Sequence, residues 1–328
     1  MLRVAQIGYG YWGTNVARKL LVSDKFELVC LAEADESRRT TATEQLPEGI
    51  HIVKDYSDAL SMDIDAVIIC TQTEYSYGIA MDAMECGKHV FIEKPIATNV
   101  ERTRNLIDIA HKQGVILHCD HLMIYNPVIR YIKEMVVRGE LGEIMYVDVQ
   151  RINLGPIRKD INAMLDLAVH DIAVIDYLVD GLVPDQLHAI GSSFFGQREA
   201  ITYLSMKMGN LLININSSWL SPVKVRRTMI AGTKKMAIFD DVKTEKLRIY
   251  DSGIDVRQGS EYGSYEAQTR IGDIYIPHIP WEDSLQNSLE HFAECAETGT
   301  ESLSGPKQSL RVMQILEQAQ EKLSQTGT

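Results

Sequence analysis

The feature that most constrains this 328-residue chain lies at its start: Gly8, Gly10 and Gly13 in the string GYGYWG. The string follows the apolar run RVAQI and precedes TNVARKLLVS, whose apolar residues recur at helical spacing. A strand that turns through three glycines into a helix gives each one a task. Gly8 makes the tight turn, Gly10 lets backbone approach a pyrophosphate, and Gly13 allows close packing of helix on strand. The helix start at Tyr11 and Trp12 then offers free N–H groups and the positive end of the helix dipole to phosphates.

The next strand ends in AEAD, with Glu33 twenty residues beyond Gly13. A carboxylate there accepts the adenosine ribose hydroxyls and repels a 2′-phosphate, which favours NAD over NADP. Arg38 and Arg39 follow closely and are suited to a 2′-phosphate, so NADP stays the less favoured alternative. Asp35 reads as the N-cap of the following helix.

RVAQI, FELVCLA, IDAVIIC, KHVFI and GVILHC are nearly continuous apolar runs, the pattern of parallel strands buried on both faces. Helical segments alternate with them, which predicts an α/β, doubly wound parallel sheet over residues 1–121. Beyond it the pattern changes. A helix around NPVIRYIKEMVVRG, a strand around EIMYVDVQR and a helix AMLDLAVHDIAVIDYLV precede several strand-like runs with short connections. Residues 122–328 therefore read as an α+β domain with an open, mostly antiparallel sheet. The polar, Gly-rich residues 252–273 read as a long loop or an oligomer-facing arm.

Charge narrows the function. The chain has 33 Lys+Arg against 45 Asp+Glu, net −12, which disfavours a general nucleic-acid binder, since that affinity rests on neutralising phosphates. No apolar run reaches the roughly 18 residues of a membrane span. Five cysteines lack disulfide or zinc spacing and read as buried thiols of a cytoplasmic protein; no metal site is expected.

KHVFIEKP carries Glu93, Lys94 and Pro95 off the end of a strand, where ligands of open α/β sheets sit. The proline keeps Lys94 out of helical geometry. Taken alone, the lysine reads either as a catalytic group or as a common strand-end surface residue.

GYGYWG, GKHVFIEKPIA, YNP at Tyr125–Pro127 and DLAVHD at Asp166–Asp171, in this order across the whole chain, resemble the Gfo/Idh/MocA family of glucose-fructose oxidoreductase, inositol dehydrogenase and relatives. The resemblance implies a Rossmann domain, hydride transfer between a nicotinamide and a sugar or cyclitol hydroxyl, Lys94 at the reacting hydroxyl, and Glu93 helping to place the cofactor. It implies a homodimer or homotetramer as well. Asp166 and His170, four apart, share a helix face. By themselves they are either an acid/base unit or a buried histidine satisfied by an aspartate; the resemblance places both at the substrate. Whether Lys94 or His170 takes the proton stays open.

The chain also departs from the family pattern. CTQTEYSYG keeps Thr71 at the cofactor loop but has Gln72 and Thr73 where Pro-Asn is usual, and Ser76 where His is common. His121, Tyr125 and Asn126 match the pocket-side GHxFxYNP string, with Asp120 in place of its glycine; Tyr125 and Asn126 also read as a capped helix start. Two basic segments suggest an anionic substrate: Arg151, Arg158 and Lys159 beside Asn162, and Lys224, Arg226 and Arg227. A solvated strand face and loop would explain them equally. These strings look closer to family members of surface polysaccharide or amino-sugar pathways, which points to the carbon-3 hydroxyl of a UDP-linked amino sugar or its uronic acid. A free sugar or cyclitol, reduction of a keto-sugar, and a non-catalytic NAD(H)-binding regulator are the alternatives.

Overall fold

The computed structural model describes residues 1–158, 161–196, 198–258 and 265–326. The chain forms two compact units: residues 1–126 with 282–314, and residues 127–281 with 315–328. A cut at 121/122 misses the return of the chain to the first unit.

The first unit alternates β1 (Leu2–Ile7), α1 (Tyr11–Val22), β2 (Phe26–Ala32), α2 (Glu36–Gln45), β3 (His51–Val53), α3 (Tyr56–Leu60), β4 (Ala66–Ile69), α4 (Thr73–Glu85), β5 (His89–Ile92), α5 (Val100–Gln113) and β6 (Leu117–Cys119). All neighbours in its sheet, ordered β3-β2-β1-β4-β5-β6, pair in parallel. The order reverses between β1 and β4, the switch point at which ligands of such sheets bind. The strands are apolar because helices cover both faces: every residue of β4 is buried. The short β3 is the strand the apolar runs did not announce.

The returning segment forms α8 (Ser284–Thr298), capped by Asp283 and ended by Gly299 in the left-handed conformation. Its Leu285, Leu289 and Phe292 enter the core formed by Leu2, Val4, Val16 and Leu20, and Phe292 packs edge-on against Phe91 with centroids 5.7 Å apart. Asp283 also pairs with Lys19 of α1 at 2.7 Å.

The second unit opens with α6 (Pro127–Val137) and β7 (Ile144–Leu154). A π-turn (Met164–Ala168) then leads into α7 (Val169–Leu178). The strands β8 (Gln186–Ser192), β9 (Ile201–Met208), β10 (Leu211–Ser218), β11 (Leu220–Gly232), β12 (Met236–Asp240), β13 (Leu247–Gln258) and β14 (Tyr265–Tyr275) follow, then α9 (Pro306–Thr326), whose later part belongs here. The eight strands run β14-β13-β12-β11-β7-β10-β9-β8. Only β7 and β10 pair in parallel. Val147, Val149, Ile213, Ile215, Ile230 and Phe239 are buried on the sheet, as alternation along half-covered strands requires.

Residues 252–273 are not simply a loop: their described part belongs to the β13/β14 pair. The hairpin escapes a reading based on apolar alternation because β14 is an edge strand with exposed Gln268 and Thr269. One thiol differs from expectation, since Cys86 is exposed.

Leu289 and Phe292 are fully buried, so Leu289→Ala and Phe292→Ala should each cost about 2–5 kcal/mol in urea unfolding. Losses below about 1 kcal/mol would mean that α8 is not part of the first unit's core.

Candidate active site

The glycine turn has the shape its spacing predicts. Gly8 adopts φ 97°, and a Cβ there would lie 2.9 Å from the Cys70 carbonyl oxygen. On Gly13 a Cβ would overlap the Gly8 carbonyl oxygen. Gly10 differs: its backbone is extended, and a Cβ would meet nothing nearer than the Arg38 guanidinium at 3.6 Å. The first two glycines named are required by the fold, whereas Gly10 leaves an open cradle. α1 begins there without a side-chain cap or an acidic residue in its first turn, so its N-terminal N–H groups suit an anion. This is the fit a dinucleotide's pyrophosphate requires.

Gln6, buried in β1 and unremarked in the sequence, ties the turn together. Its side-chain amide donates to the carbonyls of Gly8 and Gly13, both at 2.8 Å. A glutamine inside an otherwise apolar strand was the available signal. Glu33 braces the other side, accepting from the Tyr9 N–H at 2.6 Å and the Asp35 N–H at 2.9 Å. Each carboxylate oxygen retains a lone pair for a ribose hydroxyl. Asp35 caps α2 through the Arg38 N–H, and Arg39 donates to the carbonyls of Glu33 and Ala34. Arg38 is exposed beside Gly10. Tyr11 is also exposed, whereas Trp12 is partly buried against the core. Thr71 and Ser76 hydroxyls lie 2.9 Å apart, and Ser76 also donates to the Thr71 and Gln72 carbonyls. Ser76 thus closes the loop through its own hydroxyl.

Past the ends of β5 and β6 lies a cluster of titratable groups: Glu93, Lys94, Asp120 and His121. Burial and the Asp120 carboxylate push Glu93 well above the usual carboxylate range, with Lys94 and the Trp12 side chain opposing. Burial raises Asp120 to about 6. Burial and the Lys94 charge lower His121 to about 3; its ring is neutral, and neither nitrogen has a hydrogen-bond partner among the described residues. Such a side chain is suited to a ligand hydroxyl.

Tyr125 is placed otherwise. Its ring is fully buried against His118, and its hydroxyl lies 2.9 Å from the Ser304 hydroxyl. The expectation that Tyr125 contacts substrate is replaced by a core role. Asn126 links a 3₁₀ turn (Leu122–Tyr125) to α6.

In the second unit, Asp166 lies in the π-turn and His170 near the start of α7. Their four-residue spacing therefore crosses an irregular turn of a kind that often marks functional sites. Asp166 accepts from the Trp219 indole at 3.2 Å and faces Arg158 at 3.5 Å. His170 is partly exposed.

Three expected substrate contacts are spent elsewhere. Arg151 makes a buried fork with Asp171, at 2.8 and 2.6 Å. Asn162 is 1% exposed; its amide donates to Glu199 and Gln320, and its oxygen accepts from the Leu165 N–H. Arg227 donates to Gln150. Gln150 neighbours Arg151 on β7, so strand alternation puts Arg227 on the sheet face opposite the Arg151–Asp171 pair. Arg226 faces Asp241 at 3.7 Å, and Lys159 lies outside the described residues. Arg151, Arg158 and Arg226 thus face the protein's own carboxylates.

Removing either member of the Arg151–Asp171 pair leaves a buried charge unpaired. Arg151→Ala or Asp171→Ala should therefore cost about 3–5 kcal/mol in urea unfolding; unchanged stability would return Arg151 to a ligand. Asp120 gives a pH signature. Its folded pKa is raised, so its contribution is fully present below about pH 4 and is lost as pH rises through about 6. The stability of wild type relative to Asp120→Asn should fall between those pH values, and a flat or rising difference in denaturant titrations would contradict the burial of this carboxyl.

Comparison with known proteins agrees with these features. Residues 2–121 match the model of an oxidoreductase family with an NAD-binding Rossmann fold, and residues 129–238 match the GFO/IDH/MocA C-terminal domain. The chain is 26% identical over 254 residues to UDP-N-acetylglucosamine 3-dehydrogenase of Acidithiobacillus ferrooxidans, covering 77% of this chain and 78% of that protein. The structure of that enzyme is similar at a TM-score of 0.82, with 22% identity over 99% of this chain and 98% of that one. Myo-inositol 2-dehydrogenase of Thermotoga maritima is 24% identical over 295 residues, 85% of this chain and 86% of that protein. GenD2 from gentamicin A biosynthesis, solved in complex with NAD, has a TM-score of 0.82 at 19% identity, covering 99% of this chain and 95% of that one. With its Rossmann and C-terminal domains both matched, the chain belongs to the Gfo/Idh/MocA family of oxidoreductases.

Proposed function

We propose that the protein oxidises a hydroxyl of a sugar with NAD, and that its first substrate class is a nucleotide-linked amino sugar or its uronic acid. The observation that carries the chemistry is Lys94 at the end of β5, beside the buried carboxyls Glu93 and Asp120 and the unpartnered ring of His121. When bound, NAD supplies the hydride acceptor. The turn at Gly8, Gly10 and Gly13 holds the pyrophosphate, Glu33 takes the adenosine ribose, and Thr71 and Glu93 complete the cofactor side.

Lys94 accepts the hydroxyl proton, and His121 orients a substrate hydroxyl through a ring nitrogen. Asp166 and His170 form a second acid/base or positioning unit. Trp219 and Arg158 contact the Asp166 carboxylate, a group suited to orienting an imidazole or a sugar hydroxyl.

Similarity to the UDP-N-acetylglucosamine 3-dehydrogenase supports the carbon-3 hydroxyl and the nucleotide link. A second reading, a free sugar or cyclitol substrate, is favoured by the internal pairing of Arg151, Arg226 and Arg227 and by similarity to myo-inositol 2-dehydrogenase.

The test follows NADH absorbance with NAD and UDP-N-acetylglucosamine, its uronic acid, UDP-glucose, glucose or myo-inositol. NADH with a UDP-sugar alone supports the first reading, and NADH with glucose or inositol supports the second. Lys94→Met should lower kcat by about 100-fold or more, the range of a general base, while NAD binding persists. Substantial remaining turnover would remove Lys94 from the chemistry.

A further inference from the structure

We propose that Glu93 and Asp120 share one proton between their carboxyl groups, and that this pair, continued inward by Ser288 and His118, takes the Lys94 proton and so frees the amine to accept one from the substrate hydroxyl. The second half of the proposal rests on Lys94 as the proton acceptor; the first half does not.

The backbone sets the two acids side by side. Ile92 and Cys119 are register partners in β5 and β6, and the Asp120 N–H donates to the Ile92 carbonyl at 2.8 Å. Glu93 and Asp120 are thus the next pair beyond the sheet, where parallel neighbours point to the same side. Each has an oxygen, Glu93 Oε1 and Asp120 Oδ2, that is buried and lacks a donor among the described residues. Two ionised carboxylates would leave both oxygens orphaned and facing like charge. One proton between them makes a hydrogen bond that satisfies both.

The charged group facing both acids is Lys94, which balances the single remaining negative charge. The Trp12 side chain faces Glu93 from α1. The Cys70 and Cys119 thiols face the same pair, and burial with these carboxyls pushes both upward, so they stay neutral.

The pair is continuous with a buried chain. The Ser288 hydroxyl of α8 lies 2.7 Å from Asp120 Oδ1 and 3.1 Å from His118 Nε2, and the Ser302 hydroxyl lies 2.9 Å from His118 Nδ1. His118 is stacked on Phe91 at 4.7 Å. Burial and the neighbouring His291 and His121 hold its ring neutral, leaving one nitrogen free to accept.

In the reaction, the resting Lys94 ammonium gives a proton to the singly charged pair, which becomes doubly protonated while Lys94 becomes the neutral amine. The substrate O–H bond then breaks as that amine gains its proton, the hydride leaves the same carbon for the nicotinamide, and Lys94 is again the ammonium. One proton leaves through Ser288 and His118 to Ser302, beside the exposed Leu303, and so to water. Asp120 acts here through Lys94, as a positioning residue for the proton.

Infrared spectra of the ligand-free protein at neutral pH test the pair without turnover. A carboxylic C=O band of a buried, protonated acid is expected in wild type and should be lost in both Asp120→Asn and Glu93→Gln, because the remaining acid ionises beside Lys94. A band absent from wild type, or surviving in Asp120→Asn, would overturn the shared proton. The acceptor role is read from the pH profile of kcat: Asp120→Asn should move the acidic limb down by about one unit or more. An unmoved limb would overturn that role even with the infrared result in hand. An unchanged rate in Lys94→Met alongside a lost band would instead overturn the reading of Lys94 and leave the shared proton standing.

Discussion

Everything at the cofactor end depends on one steric constraint: the β1–α1 turn must bring the start of a helix into van der Waals contact with the strand it has just left. Gly13 against the Gly8 carbonyl, and Gly8 against the Cys70 carbonyl, leave no room for a side chain. Gln6 converts the contact into hydrogen bonds, and Glu33 ties the Tyr9 N–H to the end of β2. The turn is therefore held by the protein's own contacts. With its carbonyls and Glu33 fixed internally, it leaves the uncapped helix N-terminus at Gly10 to meet an anion.

The second organising feature is the concentration of ionisable groups where β5 and β6 end. A parallel sheet delivers its strand ends to one edge, and here that edge carries Glu93, Lys94, Asp120 and His121 in a space from which water is largely excluded. Burial opposes charge on Glu93, Asp120 and His121, so their protonation states are set by one another and by Lys94. Lys94 makes a charged carboxyl tolerable and a charged His121 unfavourable. Such mutual dependence suits a site that moves protons, because a change on one group is felt at once by the rest.

How much of this was legible in the sequence varied with the range of the interaction. The glycine turn, Glu33, the Asp35 cap and the parallel strands are local, and spacing alone announces them. Asp120 was visible only as a departure from a family string. Its partner Ser288 is 168 residues away, and nothing near Ser288 announces α8 as part of the first unit. For the basic segments the difficulty was the identity of the partner. Alternation separates Arg226 from Arg227, but no spacing reveals that Arg151 meets Asp171 rather than a ligand. Tyr125 was misplaced for the same reason, because its hydroxyl finds Ser304 in a segment 179 residues later. The β13/β14 hairpin was hidden by its polarity, since an edge pair need not alternate apolar and polar residues.

The most direct test of the account is calorimetric titration of NAD into wild type and Gly10→Ala, with the melting of both proteins followed alongside. Gly10 is the one glycine of the turn whose Cβ the fold accommodates, so the variant should melt within a few degrees of wild type while NAD binding is lost or weakened severalfold. Equal NAD affinity in the two proteins would mean that the pyrophosphate does not lie on this turn, and would contradict the account at its base.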